Sequence, residues 1–396
     1  MHIHFSRAQA LSALKKLQPA LPKDKLIPQL AGILLEADAD RKEVTATARS
    51  TALAARISFP SAVQKSGSTV INGSLLCQLV EKFSGDDVDI RTVPSENVIL
   101  QSGRSVFTLA TLPAASYPKP AFSEASSTIT VTNFPKLVRC TAFALMENCS
   151  EKPAYGCIRL DVANNRAIAT TTNLEGFTQV AVPVTVEEKA PEKPLLVLVP
   201  AYAAKYISSV LDAKEALTIG ITEHELVFSA HGLLASCPVC KSEFLNPSML
   251  LQHVKPSYSA LVERDAFYEA LQSLEVSAKD PRATIDLGLT ADSLTLQCTD
   301  LFSRTSTSVP ASAAQPMPRV FYYREDALAR AVQTLQGSVI RIGITQDGAL
   351  LLRTKEQLYL QMARSRAFIP SAEDAKKKGV KKSAQAKQAA AKKKAA

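Results

Sequence analysis

Several signatures of enzymes are missing from this chain. It has no GxxxxGK[S/T] phosphate loop, no HExxH pair and no GxSxG elbow, which removes the usual sequence grounds for nucleotide hydrolysis, zinc proteolysis or serine acyl transfer. Its histidines are only His2, His4, His224, His231 and His253. No carboxylate pair stands apart from ordinary strand-turn polarity. The expectation is a protein that is not an enzyme and needs no cofactor. Long apolar runs are also absent: the longest, LAGILLEA and LLVLVPAYAA, fall far short of the roughly 20 residues a membrane helix requires. The start, MHIHFSRAQALSALKK, has no continuous apolar core or cleavage site, so no signal peptide is expected. Seven cysteines, an odd number scattered along the chain, argue for reduced thiols in a cytoplasmic compartment.

What is present is a globular composition over 396 residues, 46% hydrophobic and 21% charged, enough for about two to four domains. The net charge of +9 is uneven. Residues 371–396, SAEDAKKKGVKKSAQAKQAAAKKKAA, hold nine Lys against one Glu and one Asp, leaving the rest nearly balanced. A Lys/Ala tract without apolar periodicity is expected to be disordered when free. It is either a solubilising extension or an electrostatic arm for polyanions.

One short stretch suggests a metal. CPVCKSEFLNPSMLLQHV (237–254) places Cys237, Cys240 and His253 at the spacing of a Cys-Cys-His-His zinc finger. The fourth ligand is missing: Ser257, Tyr258 and Ser259 stand where the second His belongs. Three ligands leave coordination open, unlike a structural zinc site that contributes folding energy. No metal is expected, and a zinc-dependent nucleic-acid-binding regulator is the alternative.

Internal repetition assigns that stretch to a larger pattern. AGILLEADADRKEVTATARSTALAARISF (31–59), YGCIRLDVANNRAIATTTNLEGFTQVAV (155–182) and RATIDLGLTADSLTLQCTDLFSRTSTSV (282–309) each read as alternating strands around a polar turn. VINGSLLCQLVEKFSG, VLVPAYAAKYISSVLDAK and FYYREDALARAVQTLQG follow, with aliphatic residues on one helical face. Further alternating strands come next. RAQALSALKKLQPAL, FPKLVRCTAFALM and ERDAFYEALQSLEV precede the three units as additional amphipathic helices. The fold class is therefore α+β: three similar repeats, each with two helices packed on antiparallel sheets. The expected domains are 1–126, 127–254 and 255–368, with the tail at 369–396. In this register 237–254 is a strand end and an inter-domain connector.

The repeat, the length and three dense stretches together resemble the bacterial DNA polymerase III beta subunit, the replicative sliding clamp. The stretches are SGRSVFTLATLPAASYPKP (102–120), IPQLAGILLEA (27–37) and TAFALMENCSEKP with GCIRLDV (141–162). The resemblance runs from residue 1 to about residue 366. It implies a clamp fold in which two chains join head to tail into a ring of six domains, helices lining the hole and sheets forming the wall. It further implies an unspecific grip on double-stranded DNA. The partners would be the polymerase III alpha subunit, the clamp-loader complex and other clamp-binding-motif proteins, with no membrane. A clamp-like paralogue serving repair or a mobile element is a further alternative.

Site residues follow from the same resemblance. A sliding ring needs cations facing phosphates without base contacts. Arg7, Lys15, Lys16, Lys82, Lys136, Arg139 and Lys205 are the candidate helix cations, with Arg264 and Arg330 in the third repeat. Two loops nominate Lys23 and Lys25, and Asn148 and Lys152. Departures are visible: the second and fourth helices begin NGSLL and AYAAKY, where related clamps often carry basic residues. Phe107 and Leu109 match the dimer interface, with Leu274 and Val276 as their third-domain counterparts. The partner-peptide pocket corresponds to Ala154, Thr170, Thr172, Leu174, Tyr359, Leu360, Gln361 and Met362. There the family's TDGHRL reads TTTNLE and its closing MPxR reads MARSR.

Overall fold

One order of elements occurs three times: a strand, a helix, four or five strands, a helix and three strands. The computed structural model describes residues 1–22, 27–94, 97–147, 149–163, 165–187, 195–275, 284–299 and 304–364. The first copy runs β1 (His2–Ser6), α1 (Arg7–Leu17), β2 (Gly32–Asp38), β3 (Glu43–Arg49), β4 (Ala54–Pro60) and β5 (Ala62–Lys65). It continues with β6 (Gly67–Asn72), α2 (Gly73–Lys82), β7 (Asp87–Val93), β8 (Asn97–Ser102) and β9 (Ser105–Ala110). The second has β10 (Ser127–Thr132), α3 (Phe134–Thr141), β11 (Cys157–Ala163), β12 (Arg166–Thr172) and β13 (Gly176–Glu187). Then come β14 (Leu195–Pro200), α4 (Ala201–Val210), β15 (Ala216–Ile221), β16 (Glu225–Ala230) and β17 (Leu233–Pro238). A short α5 (Pro247–His253) precedes the third copy. That copy opens with β18 (Tyr258–Glu263), α6 (Arg264–Glu275), β19 (Thr284–Leu289), β20 (Ser293–Thr299) and β21 (Arg304–Ala313). It closes with β22 (Phe321–Arg324), α7 (Glu325–Thr334), β23 (Val339–Ile344), β24 (Leu350–Arg353) and β25 (Gln357–Gln361).

The helices form because their apolar residues recur on one face. α1 buries Ala10, Ala13, Leu14 and Leu17, and α6 buries Phe267, Ala270, Leu271 and Leu274 at the same spacing. α2 starts where Asn72 Oδ1 accepts the Leu75 amide at 3.0 Å, capping its first turn. α5 starts in the same way, Asn246 Oδ1 taking the amides of Ser248 and Met249. The strands alternate: Ile340, Ile342 and Ile344 of β23 are buried while Val339 and Arg341 are exposed.

The chain folds as two compact units, residues 1–171 with 181–244, and residues 172–180 with 245 onward. In the first, β9 is the edge of a sheet ordered β5-β1-β7-β8-β9. A second sheet carries β4 beside β17, Leu233 opposite Ile57 and Ser236 opposite Ala54. The last strand of one repeat thus pairs with the third-strand position of another. In the second unit the same junction recurs: β25 pairs with the first half of β13, from Gly176 opposite Gln361 to Val180 opposite Gln357.

The zinc-like stretch divides between these elements. Cys237 is buried near the end of β17, and Cys240 packs with Ala154, Cys157, Leu198 and Phe244. The His253 ring shares a hydrogen bond with the Met249 carbonyl at 2.7 Å. Among the described residues no group of three or more His, Cys, Asp or Glu is arranged to hold a metal ion.

Candidate functional site

Among the described residues, β9 and the first half of β21 each pair on one side only. β9 is hydrogen-bonded only to β8, yet Val106 is 57% and Phe107 39% exposed. Leu109 is partly buried, and the Phe107 ring rests on Phe83 at 5.7 Å. The other open edge is the first half of β21, Arg304–Ser308, which pairs with β20 alone; only Ala311–Ala313 reach β18. An apolar strand edge exposed in this way is a template for pairing with another chain. Leu274 takes no part. It is fully buried on the inner stripe of α6, so the sequence expectation for it is wrong: the side chain is used up in the core of its own unit. Val276 lies outside the described residues.

The cations separate by unit. In the first, Lys15, Lys82, Arg139, Lys152 and Lys205 are exposed, while Arg7, Lys16 and Lys136 are partly exposed. Lys15 Nζ pairs with Glu81 at 2.8 Å, and Arg7 donates to the Glu81 carbonyl at 3.3 Å. That bond from Lys15, with the lysine's charge, holds the Glu81 carboxyl below its ordinary pKa. Lys152 lies 6.0 Å over the Tyr155 ring. Lys23, Lys25 and Asn148 lie outside the described residues. In the second unit, Arg264 is committed to Asp265 and to the Leu335 carbonyl, and Arg330 is exposed. α6 and α7 are net acidic, with Asp265, Glu269, Glu275, Glu325 and Asp326 against those two arginines. α1 and α3 carry no acidic residue at all.

The expected peptide pocket is mostly interior. Tyr359, Leu360, Gln361, Thr170, Thr172 and Ala154 are buried, whereas Leu174 and Met362 are each 49% exposed. Of the eight, only Leu174 and Met362 present exposed side chains, and the other six are buried, which departs from the sequence expectation of an open pocket lined by all eight. Strand alternation explains much of this, turning Tyr359 and Gln361 to the inner face of the β25 sheet. Thr172 and Asn173 build the turn that presents Leu174: Thr172 Oγ1 takes the Leu174 amide at 3.0 Å and donates to the Gly176 carbonyl at 2.8 Å. Asn173 Oδ1 accepts the amides of Glu175 and Gly176. Leu174 itself sits at φ 69°, a left-handed conformation that a branched side chain adopts only under such constraint. The Met362 amide donates to the Glu175 carbonyl at 3.2 Å, bringing turn and strand end together.

Sequence reasoning missed the ion cluster beside them. The Glu175 carboxylate pairs with Arg324 at 3.2 Å and with Arg364. Partial burial raises its pKa, and the two guanidiniums outweigh that and hold it below the ordinary value. Asp326 also binds Arg324. A cluster of this kind fixes the rim next to Leu174 and leaves it close to neutral.

Comparison with known proteins agrees with this architecture. Residues 1–121 match the family model of the DNA polymerase III beta subunit, N-terminal domain. A beta sliding clamp of Halalkalibacterium halodurans is 22% identical over 304 residues, covering 74% of this chain and 79% of that protein. One from Caulobacter vibrioides is 31% identical over 153 residues, covering 37% and 40%. The crystal structure of the Bacillus subtilis sliding clamp superposes with a TM-score of 0.83 at 19% identity, over 92% of this chain and 99% of that one. The Pseudomonas aeruginosa beta subunit gives 0.84 at 16%, over 92% and 100%. Matched in its first repeat by the N-terminal-domain model and over nearly all of its length by fold, the chain is similar to DNA polymerase III beta subunits, or sliding clamps, and shares their fold.

Proposed function

We propose that the chain is a non-catalytic DNA sliding clamp that encircles duplex DNA as a head-to-tail homodimer and tethers the replicative polymerase. The observation that carries the reading is the twice-repeated strand junction. β4 pairs with β17 and β13 pairs with β25; by the same rule β21 would pair with β9 of a second copy. Both are open edges, so two copies would pair β9 with β21 at both junctions, as a closed cyclic assembly requires. The register can be carried across. Arg304 holds the hairpin position of Ala54, and Ser105 that of Leu233. Thr108 would then face Arg304, and Ser105 would face Thr307, of the other copy. β21 thus takes the place of Leu274 and Val276 as the third-repeat interface.

Each copy would contribute the three domains expected from the sequence, in the cytoplasm at the nucleoid. Inside such a ring the duplex would be held by phosphate contacts alone, mainly from the cation-bearing helices of the first two repeats. Partner proteins would dock through linear peptides at Leu174 and Met362. The test is retention on closed circular DNA after loading by a clamp loader, followed by linearisation. A ring stays on the circle and slides off the linear product. Equal retention on both would mean surface binding and would exclude the clamp reading.

A further inference from the structure

Arg49, Ala54 and Ser236 form one row across three neighbouring strands. Arg49 of β3 is opposite Ala54 of β4, and Ala54 is opposite Ser236 of β17. Residues opposite each other in a sheet share a face. The other strand junction fills the matching row with large side chains. Its turn is closed in the same way: the Ser50 amide bonds the Leu53 carbonyl at 2.8 Å, and the Asn173 amide bonds the Gly176 carbonyl at 3.2 Å. That sets Ala54 level with Phe177, which is opposite Leu360 as Ala54 is opposite Ser236. Phe177 and Leu360 are both buried. Where they stand, the first junction has only a methyl and a hydroxymethyl group, and a cavity of about 420 Å³ remains.

The connector beside this cavity is tied down and does not collapse into it. Arg49 donates to the Pro118 carbonyl at 2.9 Å, and the Ser123 amide donates to Glu225 at 2.7 Å. Lys119 Nζ pairs with Glu36 at 2.6 Å, and the Arg56 guanidinium lies 4.7 Å from the centre of the Phe122 ring. These contacts also decide the charge that a ligand meets. Lys119 is committed to Glu36, and Glu225, the one carboxylate among the described lining residues, to Ser123. His224 is exposed, with Glu223 3.9 Å away. Arg49 makes no ion pair with the described residues. Ser236 lines the cavity and is only 5% exposed, yet its hydroxyl has no hydrogen-bond partner among the described residues. An unpaired guanidinium and an unpaired hydroxyl thus flank an apolar floor at Ala54. Their Cα atoms are two strand spacings, about 10 Å, apart along the row.

We propose that this cavity binds a small aromatic carboxylic acid with a polar group at the far end of its ring. The carboxylate pairs with Arg49, whose planar fork matches it. The aromatic body lies over Ala54, in the space that Phe177 fills at the other junction. The far polar group bonds the Ser236 hydroxyl, which burial otherwise leaves unpaired at a cost. A phosphate dianion would meet a single uncommitted guanidinium with the Glu225 carboxylate in the same lining. A neutral aromatic would leave Arg49 without an anion. The site lies wholly within the first unit and needs neither the closed dimer nor the Leu174–Met362 contact.

The test is isothermal titration calorimetry of 4-hydroxybenzoate on the full-length protein at constant ionic strength. One molecule should bind per chain. 4-Hydroxybenzamide, which lacks the charge, and acetate, which lacks the ring, should each bind at least tenfold more weakly. Arg49→Met should weaken 4-hydroxybenzoate at least tenfold and Ser236→Ala at least threefold. Ala54→Phe fills the space and should abolish binding. Thermal melting followed by circular dichroism shows which variants fold, and half-buried Arg49 keeps the test decisive if Ala54→Phe does not. The peptide Gly-Gly-Tyr, whose end offers the same three groups, separates a free acid from the terminus of a partner chain and should bind more weakly. The proposal is overturned if folded Arg49→Met binds 4-hydroxybenzoate as wild type does, or if the benzamide binds equally. Binding lost on truncation before Ser371, which would assign it to the tail lysines, or tighter binding of Gly-Gly-Tyr, would also overturn it.

Discussion

The Tyr206 hydroxyl donates to the Lys16 carbonyl across 2.9 Å, tying the fourth helix to the end of the first. Tyr206 is buried, and burial holds its phenol protonated well above the ordinary range. The bond joins the helices of two repeats that carry Lys16 and Lys205, the latter the residue before Tyr206. Removing the hydroxyl leaves a carbonyl short of a partner, so Tyr206→Phe should cost about 1 kcal/mol in urea unfolding. It should also weaken DNA retention by loosening where Lys16 and Lys205 point. A variant as stable as wild type would mean that water replaces the bond.

The interface reading can be tested by placing cysteines. If β9 pairs with β21 of a second copy, Thr108→Cys combined with Arg304→Cys should give covalently closed dimers under mild oxidation. Each single variant should not. Leu109→Asp should give monomers in sedimentation at micromolar concentration and abolish retention on circular DNA, since a charge on a paired apolar edge is a strong deterrent to association. Wild-type protein that sediments as a monomer under those conditions would rule the dimer out.

Much of this fold could be read before any coordinates. The three amphipathic helix pairs and the alternating strands follow from periodicity, and the open edge at SVFTLA is visible as an apolar strand. Other features were not legible. Leu274 looks like an available apolar residue until its spacing with Phe267, Ala270 and Leu271 is recognised as a single inner stripe. Glu175, Arg324 and Arg364 come together from 149 and 189 residues apart, and no local pattern announces such a meeting. Ala54 and Ser236 are ordinary small strand residues until the register sets them in one row with Arg49.

Glu325 gives the second unit a pH dependence. Burial raises its carboxyl pKa first, the charges of Glu275 and Asp326 add to that, and Arg330 only partly offsets them, so it is pushed up to about 7. Its folded pKa thus lies above its unfolded value, and the proton is held more tightly in the folded state. Stability from this group is full at low pH and is lost as pH rises from about 4.5 through 7, by on the order of 2–3 kcal/mol. Glu325→Gln should be more stable than wild type at pH 8, with the difference shrinking as pH falls to 5. Parallel stability curves for the two proteins across that range would mean that Glu325 ionises normally.

The lysine-rich tail should contribute affinity without specificity. Nine lysines in residues 371–396 can displace several counterions, so truncation before Ser371 should flatten the plot of log affinity against log salt. The slope should change by several units and the preference among DNA sequences should not. Identical slopes for both proteins would leave the tail as a solubilising extension.

The exposed pair Leu174 and Met362 makes a definite statement about partner choice. Where the related motif carries His and Arg, this chain has Asn173, spent on a turn, and Leu174, turned to solvent. The nearest charges, Arg324 and Arg364, are neutralised by Glu175 and Asp326. Such a surface gains free energy from aliphatic or aromatic side chains and little from acidic ones. A clamp-binding peptide of the usual apolar type should bind, but more weakly than it does to a clamp with the full motif. Met362→Asp should abolish that binding, and Leu174→Asp should weaken it at least tenfold. Glu175→Ala would free Arg364, with Arg324 still held by Asp326, and should shift preference toward acidic peptides. Anisotropy titrations of an apolar and an acidic peptide against these variants separate the effects. Equal affinity of wild type and Met362→Asp for the apolar peptide would show that the peptide docks elsewhere.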